Sequence, residues 1–159
     1  NIIQNLNETK NLDFTFEQNI NGKIENGNCT IEYPKKISCE YARSNNKILV
    51  SNGKSLVIKT RTSYYRYPLD ETPLNLILDK NFLIEKIYKL KERVIDENLI
   101  NYTIKEKDYE ISIFFDKQNY NLVGWQNVDM YQNFNITFIS GIRKNRLIPK
   151  NLFKIPTKN

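Results

Sequence analysis

The side chains that could do chemistry in this chain are few, and their spacing excludes most reactions. The 159 residues contain no histidine. That removes imidazole triads, the commonest general base near neutral pH, and most zinc sites. Cys29 and Cys39 cannot complete a metal site without histidine, so no metal and no other cofactor is expected. Gly53-Lys54-Ser55 resembles the end of a phosphate-binding loop, but that motif needs glycine five residues earlier, where Ile48 stands. The Asp and Glu residues mostly stand beside lysine on polar strand faces. A carboxylate pair distant in sequence could serve glycoside hydrolysis, but no spacing singles one out. The sequence therefore points to a binding protein and away from an enzyme.

The cysteines have a second chemistry. They flank Tyr33-Pro34-Lys35-Lys36 almost symmetrically, so a turn centred on Pro34 and Lys35 brings them face to face on neighbouring strands. A disulfide can bridge such a pair. Two buried free thiols, acting as small apolar side chains, are the alternative. A disulfide would imply an oxidising compartment.

The elements that must position these groups are mostly strands. Asn21-Gly22, Asn26-Gly27 and Asn52-Gly53 are turn dipeptides suited to positive φ. Period-2 apolar stretches flank them: Phe14 and Phe16; Cys29, Ile31 and Tyr33; Ile37, Cys39 and Tyr41; Ile48 and Val50; Leu56 and Ile58. The pattern repeats later with Tyr102 and Ile104, Ile111 and Ile113, Val123 and Trp125, and Ile136 and Phe138. Asn119-Tyr120-Asn121 and Tyr131-Gln132-Asn133 supply polar turns there. Between the halves, Thr72-Pro73 reads as an N-cap followed by proline at the first helical position, with Leu74, Ile77 and Leu78 on one face. Asp79 caps a second short helix carrying Phe82, Leu83 and Lys86, and Ile84–Ile95 is ambiguous. Ile2, Ile3 and Leu6 suggest a short N-terminal helix. The expectation is one domain over residues 1–159, a curled antiparallel sheet whose open mouth is covered by helices.

Composition bounds the class. Hydrophobic residues make up 40% and charged residues 26%, a soluble profile, and no run of about 18 apolar residues could cross a membrane as a helix. The formal net charge is +6. A basic balance admits nucleic acid as a partner, and Tyr64-Tyr65-Arg66-Tyr67 is the stretch that invites it. The denser Arg143, Lys144, Arg146 and Lys150 cluster reads as solvated surface. No nucleic acid partner is expected, and a monomer is.

Read in order, the motifs resemble the LolA family of outer-membrane lipoprotein carriers. Phe14-Thr15-Phe16-Glu17-Gln18 is similar to the family's F-x-Q segment. Gly27, Pro34 and Tyr41 fall where the family has its glycine, its R-P pair and a downstream aromatic. Leu49-Val50-Ser51-Asn52-Gly53-Lys54-Ser55-Leu56 is similar to its L-V-S-D-G-K-x-L hairpin, and Thr72-Pro73-Leu74 through Ile77-Leu78 to its T-P-x-x-x-I-L helix start. Leu122–Asn127 and Asn135–Ser140 follow the spacing of its late strands. The resemblance implies an incomplete antiparallel barrel, or half-barrel, with a helical lid over an apolar cavity. It implies a periplasmic carrier, its signal peptide removed, that takes acylated lipoproteins from an inner-membrane ABC release complex to an outer-membrane receptor. A related lipid-binding barrel with another cargo is the alternative. The lining expected on this reading is Phe14, Phe16, Ile31, Ile37, Ile48, Leu56, Ile58, Ile113, Trp125 and Phe138. The lid residues are Leu74, Ile77, Leu78 and Phe82. Where the family has an arginine that latches the lid, this chain has Tyr33, which implies a latch made differently, with Lys35 or Lys36 helping.

Overall fold

A computed structural model describes residues 1–106, 109–129 and 134–158. The turn expected at Tyr131-Gln132-Asn133 lies outside the described residues. Helix α1 (Ile2–Glu8) opens the chain, and Asn1 caps it by accepting from the Gln4 N–H at 2.8 Å. Six strands follow: β1 (Asn11–Ile20), β2 (Lys23–Glu32), β3 (Lys36–Ala42), β4 (Ile48–Asn52), β5 (Ser55–Lys59) and β6 (Tyr64–Pro68). A 3-10 turn (Leu69–Glu71), α2 (Leu74–Ile77) and α3 (Lys80–Lys89) lead to β7 (Arg93–Ile95), β8 (Leu99–Lys105), β9 (Tyr109–Asp116), β10 (Leu122–Asp129) and β11 (Phe134–Lys144).

The strands form one antiparallel sheet in the order β6-β5-β4-β3-β2-β1-β11-β10-β9-β8-β7. The sheet is open, with β6 and β7 as its edges. It is mainly β with short helices, an incomplete barrel as expected. Each half is a meander of neighbours in sequence, and pairing of β1 with β11 joins the halves. The helices lie on the concave side. Ile2 and Leu6 of α1, Ile77 and Leu78 at α2, and Leu83 and Ile87 of α3 enter the same buried cluster as Phe14, Ile31, Tyr102, Ile113 and Trp125. This is how a single sheet with one apolar face removes it from water. No helix among the described residues is long and apolar enough to cross a membrane.

Two of the three Asn-Gly readings need correction. Asn21-Gly22 does turn β1 into β2, with φ of 50° and 92° at the two centres, the type I′ pattern. In the β4–β5 hairpin the centres are Gly53 and Lys54, one residue later than expected. Ser51 pairs with Leu56 and only Gly53 has positive φ, 99°. Asn52 stays outside the turn centre because its Oδ1 accepts from the Lys54 and Ser55 N–H groups. Asn26-Gly27 is no turn at all. It lies within β2, where Gly27 pairs with Phe16 on one side and Tyr41 on the other.

Thr72 is not a side-chain cap either, since its hydroxyl donates backwards to the Leu69 carbonyl at 2.8 Å. Asp79 does cap α3, accepting from the Phe82 N–H at 3.0 Å. The ambiguous stretch divides: helix ends at Lys89 and strand begins at Arg93.

Cys29 and Cys39 are directly paired across β2 and β3 and form a disulfide, S–S 2.03 Å. They are ten residues apart. A loop that short limits the unfolded chain by roughly 2–3 kcal/mol. Replacing both by alanine is expected to lower the melting temperature by about 5–10 °C, read by thermal unfolding with and without reductant. Equal melting of the wild type in both conditions would refute a stabilising bridge.

The back of the sheet is not bare. The C-terminal tail returns across it: Lys59 Nζ donates to the Thr157 carbonyl at 2.6 Å and the Tyr64 hydroxyl to the Pro156 carbonyl at 3.0 Å. On the same side Val50 and Val57 pair across β4 and β5 and are buried, Val57 completely. The basic cluster at the end of β11 is tied into the surface. Arg143 Nε donates to Asp13 Oδ1 at 2.8 Å, and Lys144 Nζ to Asn121 Oδ1 at 3.0 Å.

Candidate functional site

The curled sheet leaves a cavity of about 400 Å³ between its concave face and the lid segment 71–77. Its wall comes from alternate residues of consecutive strands: Phe14 and Phe16 on β1, Ile37 and the disulfide on β3 and β2, Leu49 on β4, Leu56 and Ile58 on β5, and Trp125 on β10. Leu74 and Ile77 close it from α2. Phe16 and Tyr41 meet edge to face, ring centroids 5.0 Å apart, and stiffen one side.

Of the residues expected to line the cavity, Phe14, Phe16, Ile37, Leu56, Ile58 and Trp125 do so. Ile31 and Ile113 also point inward, but they belong to the packed core beside it and are essentially without exposure. Ile48 and Phe138 sit on the other face. In β4 three apolar residues run together, Ile48-Leu49-Val50. Pairing of Leu49 with Cys39 and Ile58 puts Leu49 inside and its neighbours outside. Because Val50 and Val57 on the back of this hairpin are buried too, both faces are apolar and period-2 counting could not choose between them.

In β11, Ile139 pairs with Phe16 and takes the inward frame with Thr137 and Asn135. Phe138 therefore faces out, 47% exposed, stacked on Phe114 with centroids 6.1 Å apart. Gly124 stands opposite it, where an added Cβ would come 2.4 Å from the Thr137 carbonyl. Among the lid residues, Leu74 and Ile77 touch the cavity. Leu78 is fully buried below it, and Phe82 packs half-buried on α3 with Lys86 Nζ 5.5 Å from its ring.

The lid is fastened at both ends. At its start the Leu69 N–H donates to the Lys54 carbonyl at 2.8 Å. At its end the Lys35 N–H donates to the Leu78 carbonyl at 3.1 Å, and Lys35 Nζ lies 3.6 Å from Asp79 Oδ2. Ser51 Oγ braces that turn by donating to the Lys35 carbonyl at 2.9 Å. Lys35 thus holds the lid from a position two residues beyond Tyr33.

Tyr33 itself is half-buried against the core, and burial pushes its hydroxyl up to about 12. Lys80 Nζ lies 5.3 Å from its ring and donates to the Thr9 carbonyl at 2.8 Å. Lys36 pairs with Glu32 at 3.6 Å, away from the lid. Asp79→Ala removes the α3 cap and the Lys35 ion pair together, a loss of about 1–2 kcal/mol. It is expected to quicken exchange of a fluorescent apolar probe from the cavity severalfold by stopped flow; unchanged exchange would mean the lid end does not gate the cavity.

The sequence reading missed the polar end of the cavity. Gln18, Tyr41, Lys47, Asn127, Asn135 and Thr137 line it there. Gln18 Nε2 donates to Thr137 Oγ1 at 3.0 Å, and the Tyr41 hydroxyl to Gln18 Oε1 at 3.5 Å. Lys47 Nζ donates to Glu25 Oε1 at 3.0 Å and lies 4.4 Å above the Tyr41 ring. Burial alone would raise the Glu25 carboxyl. The Lys47 and Ser44 hydrogen bonds and the Lys47 and Lys23 charges outweigh it and hold the group below the usual carboxylate range. Burial and the Glu25 charge push the Tyr41 hydroxyl well above the usual tyrosine range. The signal for three of these was parity: Gln18 stands two residues beyond Phe16, Tyr41 two beyond Cys39 and Asn127 two beyond Trp125. Tyr67 of β6 reaches the cavity as well and stacks on Tyr65 with centroids 6.5 Å apart.

The family model described as outer membrane lipoprotein carrier protein LolA matches residues 7–156, nearly the whole chain. Among solved structures, an uncharacterized conserved protein from Thermus thermophilus is similar over 99% of this chain and 93% of its own, with 8% identity and a TM-score of 0.56. A chain of the MucA/MucB complex of Pseudomonas aeruginosa is similar over 98% of this chain and 58% of its own, at 9% identity and a TM-score of 0.51. A DUF1329 family protein from Desulfovibrio piger ATCC 29098 is similar over 96% of this chain and 92% of its own, at 8% identity and a TM-score of 0.51. At such identities the likeness speaks for the fold alone. Among proteins of curated function, none matches the sequence. With the family's pattern matched nearly end to end and the open sheet and lid in place, the chain belongs to the LolA family of outer-membrane lipoprotein carrier proteins.

Proposed function

We propose that this chain is a periplasmic, non-enzymatic carrier that buries the acyl chains of lipoproteins in the lidded cavity. It would receive them from an inner-membrane ABC release complex and yield them to an outer-membrane receptor. The observation that carries this reading is the apolar cavity under a lid held by a few hydrogen bonds and one ion pair. Each buried methylene is worth roughly 0.8 kcal/mol, so acyl chains do not leave a bilayer for water unaided. A carrier must offer comparable burial and still let go, and a small lid with weak fastenings meets both needs. The disulfide supports an oxidising compartment.

The test is release of lipoprotein from spheroplasts of a cell depleted of its own carrier, with this protein added outside. Soluble complexes of lipoprotein with this chain are expected. Leu49→Glu, which sets an unpaired carboxylate in the apolar wall, is expected to weaken lipid binding at least about tenfold. Its melting curve separates loss of the site from loss of the fold. Lipid binding without lipoprotein release would favour a related carrier with another cargo. No lipid binding by the wild type would end the carrier reading.

A further inference from the structure

The outer face of β11 carries an apolar strip. Phe134, Ile136 and Phe138 alternate there with the inward Asn135 and Thr137. Phe134 and Phe138 are 38% and 47% exposed, whereas Val50 and Val57 on the same side of the sheet are buried. Contiguous apolar strips left in water mark interaction sites, as scattered single residues do not. The trough beside Phe138 indicates the partner's chemistry. Its polar wall is Thr15 and Glu17 on β1, Asn26 and Asn28 on β2, and Ser140 on β11. Thr15 and Ser140 satisfy each other at 2.8 Å, but the Glu17, Asn26 and Asn28 side chains have no hydrogen-bond partner among the described residues. Glu40 joins them from β3, opposite Asn28.

These carboxylates lack cations. Six others, from Asp13 to Glu106, stand 2.8–3.9 Å from a lysine or arginine nitrogen, yet among the described residues neither Glu17 nor Glu40 does. Arg143, farther along β11, is already held by Asp13. Glu17 and Phe138 are direct cross-strand partners, about 5 Å apart at Cβ. A guanidinium laid on the ring therefore reaches the carboxylate in the same pose, a cation–π contact joined to an ion pair. Glu40 lies two strands across and two residues along from Glu17, about 12 Å away. An extended chain covers that distance in about four residues, which also returns its side chain to the same face.

We propose that this outer trough docks an extended segment of a partner protein bearing two arginines four residues apart, one on Phe138 and Glu17 and the other at Glu40. The sheet stands between the trough and the cavity, so the inference does not depend on what the cavity holds.

The test uses the full chain, labelled with nitrogen-15 and titrated at low ionic strength. The probe is a capped heptapeptide of glycine and serine with arginine at its second and sixth positions. Amide shifts are expected at Glu17, Asn28, Glu40 and Phe138. The dissociation constant should be on the order of millimolar, as befits two exposed ion pairs and one ring contact. Glu17→Gln/Glu40→Gln is expected to weaken binding about fivefold and Phe138→Leu about threefold. Lysine in place of both arginines should also bind more weakly, because it stacks less well. All three side chains are exposed, and melting curves check that the variants are folded. Shifts confined to other residues, or binding unchanged in Glu17→Gln/Glu40→Gln, would overturn the inference. So would tri-N-acetylchitotriose moving these amides where the peptide does not, since the trough would then be a saccharide seat.

Discussion

Lys47→Met is expected to destabilise the protein by about 3 kcal/mol at neutral pH, the scale of breaking a buried ion pair from one side. The methionine fills the volume of the lysine stem but leaves the Glu25 carboxylate, buried on β2, without its ammonium partner at 3.0 Å. The pH dependence gives the stronger check. In the wild type the Glu25 carboxyl is held below its unfolded value. Its contribution is therefore present above the unfolded value of 4.5 and is lost as pH falls through the lower folded one. In Lys47→Met the dominant influence left is burial, which raises the group, so protonation relieves the variant as pH falls. The two stability curves should converge between about pH 6 and pH 3. Urea unfolding at several pH values measures this. A constant gap across that range would mean that the variant loses packing and not a charge partner.

Gly27→Ala is expected to cost about 3 kcal/mol or more, with a fall of roughly 6–12 °C in melting temperature. Gly27 stands in the middle of β2, where a Cβ would come 2.1 Å from the Glu40 carbonyl oxygen and 2.9 Å from the Tyr41 Cα. Both are backbone atoms, so no side chain can swing aside, and β2 must part from β3. The Phe16 and Tyr41 rings, on the residues paired with Gly27 from either side, would lose their 5.0 Å contact. Lipid binding should weaken with stability, since those two rings are part of the cavity wall. An alanine variant that melts within about 1 °C of the wild type would show that the strands yield more readily than the geometry indicates.

These two positions also mark where the sequence was legible and where it was not. The meander, the capped α3, the lid segment and the cysteine pair could be read because each depends on local chemistry: turn residues, a cap, period 2, and symmetry about Pro34. Gly27 was misread as a turn because Asn-Gly has the same composition whether it bends a hairpin or lets two backbones and two rings come close. Ile48 and Phe138 were misplaced because the strand frame is set by partners distant in sequence, Cys39 for β4 and Phe16 for β11. The β11 part of the polar end of the cavity was invisible for a related reason. Asn135 and Thr137 occupy inward positions of a strand whose apolar residues Phe134, Ile136 and Phe138 face outward, so the pattern pointed to the wrong side. The latch was legible in part: Lys35 was expected to help, and its ammonium does face Asp79, but its main-chain donor is one that every residue but proline possesses and so carries no signal in the sequence.

The seam between β1 and β11 has a consequence for how the molecule comes into being. Every other strand pairs with its neighbour in sequence, so hairpins can zip up on either side of the helices within a short time of leaving the ribosome or crossing a membrane. Among the strand pairings of the described residues, the seam alone joins residues more than a hundred positions apart, for example Phe16 with Ile139. Its loop must close before the contacts repay it, which makes it the natural slow step of folding. Until the last strand arrives, β1 presents an unpaired edge with Phe14 and Phe16 beside it, the kind of surface that captures other chains. A protein that emerges N-terminus first therefore spends its early life as half a sheet with a sticky margin, and is protected from aggregation only when its final strand docks.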